Sequence, residues 1–152
     1  MDERETTTTT VQAAEGFERW ALVLDDDAPT QEVLRLALQE LGLVGRTSGS
    51  FVEAREILAA AAAAPTLAIL DAVLPGEEVL PSFIADLRQR FTARIPLLLV
   101  SALSRARLAA IAKGITDAEI ITKPFELDQL IAAIERALAS SAGDGGGTAS
   151  LA

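Results

Sequence analysis

Among the runs of this chain that are apolar at every position are residues 20–24 (Trp-Ala-Leu-Val-Leu), 67–70 (Leu-Ala-Ile-Leu) and 97–100 (Leu-Leu-Leu-Val). Continuous short runs, unlike alternating ones, predict strands buried on both faces, as in a parallel sheet covered by helices. A shorter run at 119–122 predicts a further strand, and 43–47, interrupted by Gly45, is the least patterned candidate. Between these runs the apolar spacing changes to three and four. Val33, Leu34, Ala37, Leu38 and Leu41 form one such face, and Phe51, Ala54, Leu58 and Ala61 a second. Leu80, Phe83, Ile84, Leu87 and Phe91 form a third, Leu108 and Ile111 a short fourth, and Leu127, Leu130, Ile131 and Ile134 a fifth. That spacing predicts amphipathic helices.

The punctuation agrees. Pro29 suits a first helical turn, and Gly42 and Gly114 suit helix ends. Ser50 and Glu53 have capping-box spacing, Ser104 can cap the fourth helix, and Glu126 and Asp128 complement the dipole at the start of the fifth. Pro65 stops the second helix, and Pro75-Gly76 turns the chain after the third strand. Strands therefore alternate with helices five times. The prediction is an α/β fold: a doubly wound, five-stranded parallel sheet with helices on both faces and right-handed crossovers. Residues 1–16 read as a disordered acidic, Thr-rich tail, 17–140 as one folded domain, and 141–152 as a flexible Gly-rich tail.

Charge and composition narrow the chemistry. The 152 residues carry a net charge of −9, which opposes nucleic-acid and anionic-membrane partners. No apolar run reaches the roughly 18 residues of a membrane span. Nor does the acidic start resemble a signal peptide, so a cytoplasmic protein is expected. The chain has no cysteine and no histidine. Thiolate chemistry and imidazole bases are excluded, and any metal must be held by oxygen. Abundant arginine and alanine are compatible with a GC-rich bacterial genome.

The residues at the strand ends then stand out. The first strand runs into Asp25, Asp26 and Asp27, the third into Asp71, the fourth into Ser101 and the fifth into Lys123. Taken singly, each has a plain reading: a solvated acidic loop, a turn cap, a helix-entry serine, an exposed lysine. In a doubly wound sheet all of them fall along one edge, where such folds bind ligands. Crowded carboxylates repel, and a divalent cation and an ammonium relieve that repulsion. Oxygen ligands, one lysine and one hydroxyl make a kit for phosphoryl transfer to a carboxylate nucleophile.

Over roughly residues 19–138 the chain resembles the receiver domain of bacterial two-component response regulators. The matching segments are Leu22-Val23-Leu24-Asp25-Asp26, Asp71-Ala72-Val73-Leu74-Pro75-Gly76, Val100-Ser101-Ala102 and Lys123-Pro124-Phe125. The resemblance implies a flavodoxin-like fold with strand order 2-1-3-4-5. It implies that Asp71 accepts a phosphoryl group from a histidine kinase or a histidine phosphotransfer protein. It further implies that Asp25, Asp26, Asp71 and the backbone carbonyl of Val73 hold Mg2+, or Mn2+ in its place, and that Ser101 and Lys123 bind the phosphoryl group. Asp27 has no catalytic role in that scheme, and the Lys123-Pro124 peptide is expected to be cis. With no further domain after Ala139, a single-domain regulator signalling through a downstream protein is expected, with no separate enzymatic activity.

Three positions depart from the family pattern. Val79 stands near a usual glycine, Ile120 replaces a usual aromatic, and Val73 and Leu103, which flank the site, are both apolar. Two other readings use the same residues. A phosphorylation-independent pseudo-receiver would keep the fold as a docking module. A haloacid-dehalogenase-type phosphatase would use the first-strand aspartates, but Pro29 stands where its motif wants Thr or Val.

Overall fold

The apolar runs and the helical faces sort into a single sheet between two helical layers in the computed structural model, which describes residues 19–74, 80–91 and 94–150, the side chains of 141–150 excepted. In chain order the elements are β1 (Trp20–Leu24), α1 (Ala28–Glu40), β2 (Val44–Ser48), α2 (Phe51–Ala60), β3 (Leu67–Asp71), α3 (Leu80–Arg90), β4 (Leu97–Ser101), α4 (Arg105–Ala112), β5 (Ala118–Thr122) and α5 (Leu127–Ser150). All pairings are parallel, in the order β2-β1-β3-β4-β5. This is the order 2-1-3-4-5 and the flavodoxin-like fold expected from the sequence.

Because side chains alternate across a strand, each central strand feeds two cores. Leu22, Leu24, Ala68, Leu70, Leu97 and Leu99 pack with α2, α3 and α4. Ala21, Val23, Leu67, Ile69, Leu98 and Val100 pack with α1 and α5. The unbroken apolar runs are thus explained: neither face of β1, β3 or β4 meets water. β2 lies at the sheet edge, and of its residues only Ser48 is buried, which is why its sequence carries so little pattern.

Local chemistry fixes the boundaries. Ser50 caps α2 by accepting from Glu53 N–H at 3.1 Å, while Glu53 reaches back to Gly49 N–H, one residue before the usual capping-box partner. Ser104 caps α4 by accepting from Arg107 N–H at 3.2 Å. Gly42 follows α1 with φ +79°, a left-handed conformation that favours glycine.

Besides one-residue shifts at the ends of β3, β4 and β5, three boundaries differ from the sequence prediction. β2 is shifted by one residue, from 43–47 to Val44–Ser48. α2 ends at Ala60, and Ala61 is extended, although alanines continue to Pro65. Tertiary contacts override propensity there. Arg90 donates to the carbonyls of Leu58 and Ala59, and the Trp20 indole donates to Ala63 O, so the segment runs extended into β3. α5 continues to Ser150, beyond residue 140 where the sequence suggests a tail. Each glycine among residues 143–147 weakens a helix by about 1 kcal/mol relative to alanine, so this is its least stable stretch. Residues 1–18 and 75–79 lie outside the described residues, and with them the N-terminal tail, the Pro75-Gly76 turn and Val79.

Candidate functional site

β1 and β3 end level with each other, Leu24 beside Leu70, so Asp25 and Asp71 leave the sheet side by side. Both continue the alternation that points Val23 and Ile69 toward α1 and α5, and Lys123 has the same parity as Ile121. Ser101 has the parity of Leu99 and belongs to the opposite face. Backbone bonds extend the ladders past the strand ends: Asp25 N–H to Ser48 O at 3.0 Å, Ala72 N–H to Val100 O at 2.9 Å, and Lys123 N–H to Ser101 O at 2.8 Å. The edge that carries the candidate residues is therefore pinned by the sheet itself.

Lys123 Nζ stands between two carboxylates, 2.9 Å from Asp25 Oδ2 and 3.1 Å from Asp71 Oδ2. The Lys123-Pro124 peptide is cis, as expected. Asp26 is exposed, and one carboxylate oxygen each from Asp25, Asp26 and Asp71 lie within 4.8 Å of one another. Asp25 and Ser101 are 1% exposed and Asp71 6%. The structure thus brings Asp25, Asp26, Asp71 and Lys123 together. Ser101 sits one strand away, and its Oγ accepts from Leu103 N–H at 3.1 Å instead of bonding to a carboxylate.

One local device recurs at all three strand ends. Asp25 Oδ1 accepts from Asp27 N–H at 2.9 Å, Asp71 Oδ1 accepts from Val73 N–H at 2.9 Å, and Ser101 Oγ accepts from Leu103 N–H. Each side chain bonds the backbone two residues on, a turn open to Asp and Ser but not to apolar side chains. The same residues thereby end their strands and occupy the site. Asp27 differs, because its carboxylate accepts from Thr30 N–H and Oγ1–H at 2.9 and 2.5 Å and caps α1. Those bonds, the hydroxyl first, hold its carboxyl below the usual range.

Burial opposes charge on both partners of the central ion pair, with different outcomes. Desolvation pushes the Asp71 carboxyl up, and the Val73 N–H and Lys123 only partly offset it. Burial likewise works against the Lys123 ammonium, but contact with Asp25 and the charge of Asp71 outweigh it and raise that group above its ordinary value. The asymmetry is one of partners: Lys123 has two carboxylates to answer its burial, whereas Asp71 shares one ammonium with Asp25.

The donor set suits a hard divalent cation. All three candidate side-chain ligands are carboxylates, as Mg2+ or Mn2+ prefers. Asp25 Oδ2 is buried and makes no hydrogen bond; it has the lysine charge nearby but not in hydrogen-bond alignment. The Lys123 ammonium at 2.9 Å answers its charge, so a divalent cation there would share this oxygen with the lysine.

The sequence reading missed Gln31 and the capping role of Asp27. Gln31 Nε2 donates to Asp25 O at 2.6 Å and to Ser48 O at 3.2 Å. Nothing in the sequence separates this glutamine from a solvent-facing one. Asp27 did carry a signal, since Asp before Ala-Pro-Thr is a helix-start pattern.

Comparisons with known proteins bear on the family and the fold. A family model for the response regulator receiver domain matches residues 21–135. The DNA-binding transcriptional regulator NtrC of Salmonella typhimurium is 33% identical over 119 residues, 76% of this chain and 24% of that protein. Its counterpart in Escherichia coli K12 is 32% identical over 118 residues, again 76% and 24%. The chain thus spans about a quarter of the length of these curated relatives. Among solved structures, NtrX from Brucella abortus matches with a TM-score of 0.70 at 25% identity, over 86% of this chain and 29% of that one. A response regulator receiver protein from Sinorhizobium medicae matches at TM-score 0.68 and 22% identity, over 82% of this chain and 97% of the other.

Proposed function

The chain belongs to the response regulator receiver domain family, and on that premise we propose that Asp71 is a phosphoacceptor, loaded by a histidine kinase or a histidine phosphotransfer protein. The observation that carries the reading is Lys123, whose ammonium faces both Asp25 and Asp71 at the open edge of the sheet. A phosphoryl group arriving at Asp71 therefore meets a fixed positive charge, with no side-chain rearrangement needed to supply it.

In the transfer, an Asp71 carboxylate oxygen forms the new bond to phosphorus. The phosphorus–nitrogen bond of the donor phosphohistidine breaks, and the imidazole leaves with the electron pair. Val73 N–H holds Asp71 Oδ1, fixing the carboxylate plane before attack. Lys123 balances charge on the phosphoryl oxygens. The Ser101 hydroxyl, an acceptor toward Leu103 N–H, retains its proton for a phosphoryl oxygen. Asp25, Asp26, Asp71 and the Val73 carbonyl are the groups that would hold Mg2+ or Mn2+, which supplies further positive charge to the phosphoryl oxygens. The chain acts in the cytoplasm and catalyses nothing beyond its own phosphorylation and dephosphorylation. The curated relatives are named as DNA-binding regulators, but at net charge −9 this chain is poorly suited to touch DNA itself. Its output in this reading is a phosphorylation-dependent contact with another protein.

The test is incubation with a small-molecule phosphoryl donor, with and without Mg2+, followed by mapping of the label. Magnesium-dependent incorporation at Asp71, abolished in Asp71→Asn, is the expected result. Label on Asp25, Asp26 or Asp27 would overturn the assignment. Steady turnover of a small phosphate ester would point to a phosphatase instead, and no incorporation at all to a docking module.

A further inference from the structure

Asp26 is the least supported carboxylate of the cluster. Asp25 and Asp71 are each held by a backbone N–H and lie beside Lys123. Asp26 is exposed and has no such tether among the described residues, so its side chain is aimed only as far as the backbone fixes its Cα–Cβ bond. That backbone begins at the peptide plane joining Asp25 to Asp26. The carbonyl of that plane, Asp25 O, accepts from Gln31 Nε2 at 2.6 Å, while the preceding plane is held by Asp25 N–H donating to Ser48 O in the ladder.

Gln31 is suited to this role. It is half-buried on the first turns of α1, and its amide faces two backbone carbonyls, Asp25 O and Ser48 O. Carbonyls only accept, so the amide must present its nitrogen. The same nitrogen lies 3.8 Å from the position a Cβ would take on Gly49, a site that is also 3.9 Å from Asp26 Cα and 3.6 Å from Glu53 Oε1. Gln31 therefore fills the corner where β1, β2 and the start of α2 meet, directly behind Asp26.

We infer that Gln31 is a positioning residue for the divalent cation: it fixes the Asp25–Asp26 peptide and thereby the direction of the Asp26 carboxylate. The inference rests on the cation-binding reading above and adds to it a residue that touches neither cation nor phosphate. Losing the donor leaves the Asp25 carbonyl without this partner and lets the peptide rotate. A single net hydrogen bond of this kind corresponds to about a tenfold change in an equilibrium constant.

The experiment is calorimetric titration of the metal-free full-length chain with MgCl2, comparing wild type, Gln31→Leu and Gln31→Glu, with urea unfolding in parallel to verify folding. Gln31→Leu should bind Mg2+ about tenfold more weakly, and the Mg2+ concentration for half-maximal phosphorylation of Asp71 should rise by the same factor. Gln31→Glu keeps size and polarity but turns an acceptor toward the two carbonyls. It should also weaken binding, although it adds a negative charge that would strengthen a purely electrostatic site. Unchanged affinity in a folded Gln31→Leu, tighter binding in Gln31→Glu, or a lower maximal rate with no shift in half-saturation would overturn the assignment. Failure of the wild type to bind Mg2+ would bring down the cation reading itself, and the two failures are told apart by that arm.

Discussion

At the scale of single residues, the site includes a carboxylate that the folded chain holds against its preference. It is Asp71, because burial raises its carboxyl above its unfolded value. A folded state that binds the proton more tightly gains stability at low pH and loses it as pH rises from the unfolded value toward the folded one. At neutral pH the ionised carboxylate is therefore retained at a cost. Asp71→Asn should melt at a higher temperature than the wild type at pH 7 in cation-free buffer, with the gap narrowing as pH falls toward about 4, the unfolded carboxyl value, and closed below it. Lys123 keeps Asp25 as a partner in that variant. A lower melting temperature at pH 7 would mean that the Lys123 contact outweighs burial. Val73 and Leu103 act on a different property. Their N–H groups are tied back to Asp71 and Ser101, and Val73 is 56% exposed at the mouth of the site. Neither side chain can hold a water in line with the aspartyl–phosphorus bond, so self-dephosphorylation should be slow. Val73→Asn with Leu103→Glu should speed phosphate loss about tenfold or more, at about 1 kcal/mol of barrier for each restored contact. Following phosphate loss in the wild type and the double variant checks both rates, and no change in the variant would clear these side chains of the role.

Among the elements, those buried on both faces were legible in the sequence and those at the edges were not. β1, β3 and β4 are apolar up to their last positions because each feeds two cores, and their ends carried the candidate site with them. β2 was off by a residue because four of its five positions keep some exposure, so no burial pattern fixed its register. The end of α2 was misread because its stop comes from Trp20 and Arg90, 43 and 31–32 residues away from the carbonyls they bind. Gln31 was invisible for the same reason: its partners are backbone atoms contributed by other elements. β5 raises a functional question. Ile120 packs against the core shared with α2, α3 and α4, and lines a cleft with Arg105, Thr122, Gln129 and Arg136. It is β-branched and stiff, with no ring to swing and no hydroxyl to bond. Rearrangement around Ser101 should therefore reach α4 without a ring-flip step. Ile120→Tyr or Ile120→Phe, assayed for partner affinity with and without phosphate, should alter at least one of the two. If both stay the same, this position does not couple site and partner.

Across the whole molecule, the two helical layers meet the site unequally. Asp25, Asp71 and Lys123 share the side of α1 and α5, whereas Ser101 belongs to the side of α2, α3 and α4. A phosphoryl group bound by both Lys123 and Ser101 would bridge the two layers across the end of the sheet. That division was readable from strand parity, but not the pairing within it. Sequence alone placed Lys123 on the edge, while its position midway between two carboxylates is a product of packing.

For a site that takes both a cation and a phosphoryl group, as proposed, that midway position would make it a coincidence detector. One ammonium serves Asp25 and Asp71 at 2.9 and 3.1 Å. A cation taken up by the carboxylates competes with the ammonium for them and leaves it freer to meet an anion; an anion drawn to the ammonium leaves the carboxylates freer to hold a cation. Thermodynamic linkage makes this help mutual and equal: whatever factor Mg2+ adds to the affinity for a phosphoryl-mimicking anion, the anion must add to the affinity for Mg2+. Titrating each in the presence and absence of the other should give the same factor, greater than one, from both directions. In Lys123→Met the factor should fall to what direct attraction between cation and anion leaves, because the shared group is gone. A factor of one in the wild type would mean that Lys123 serves its two carboxylates independently, and that neither input waits on the other.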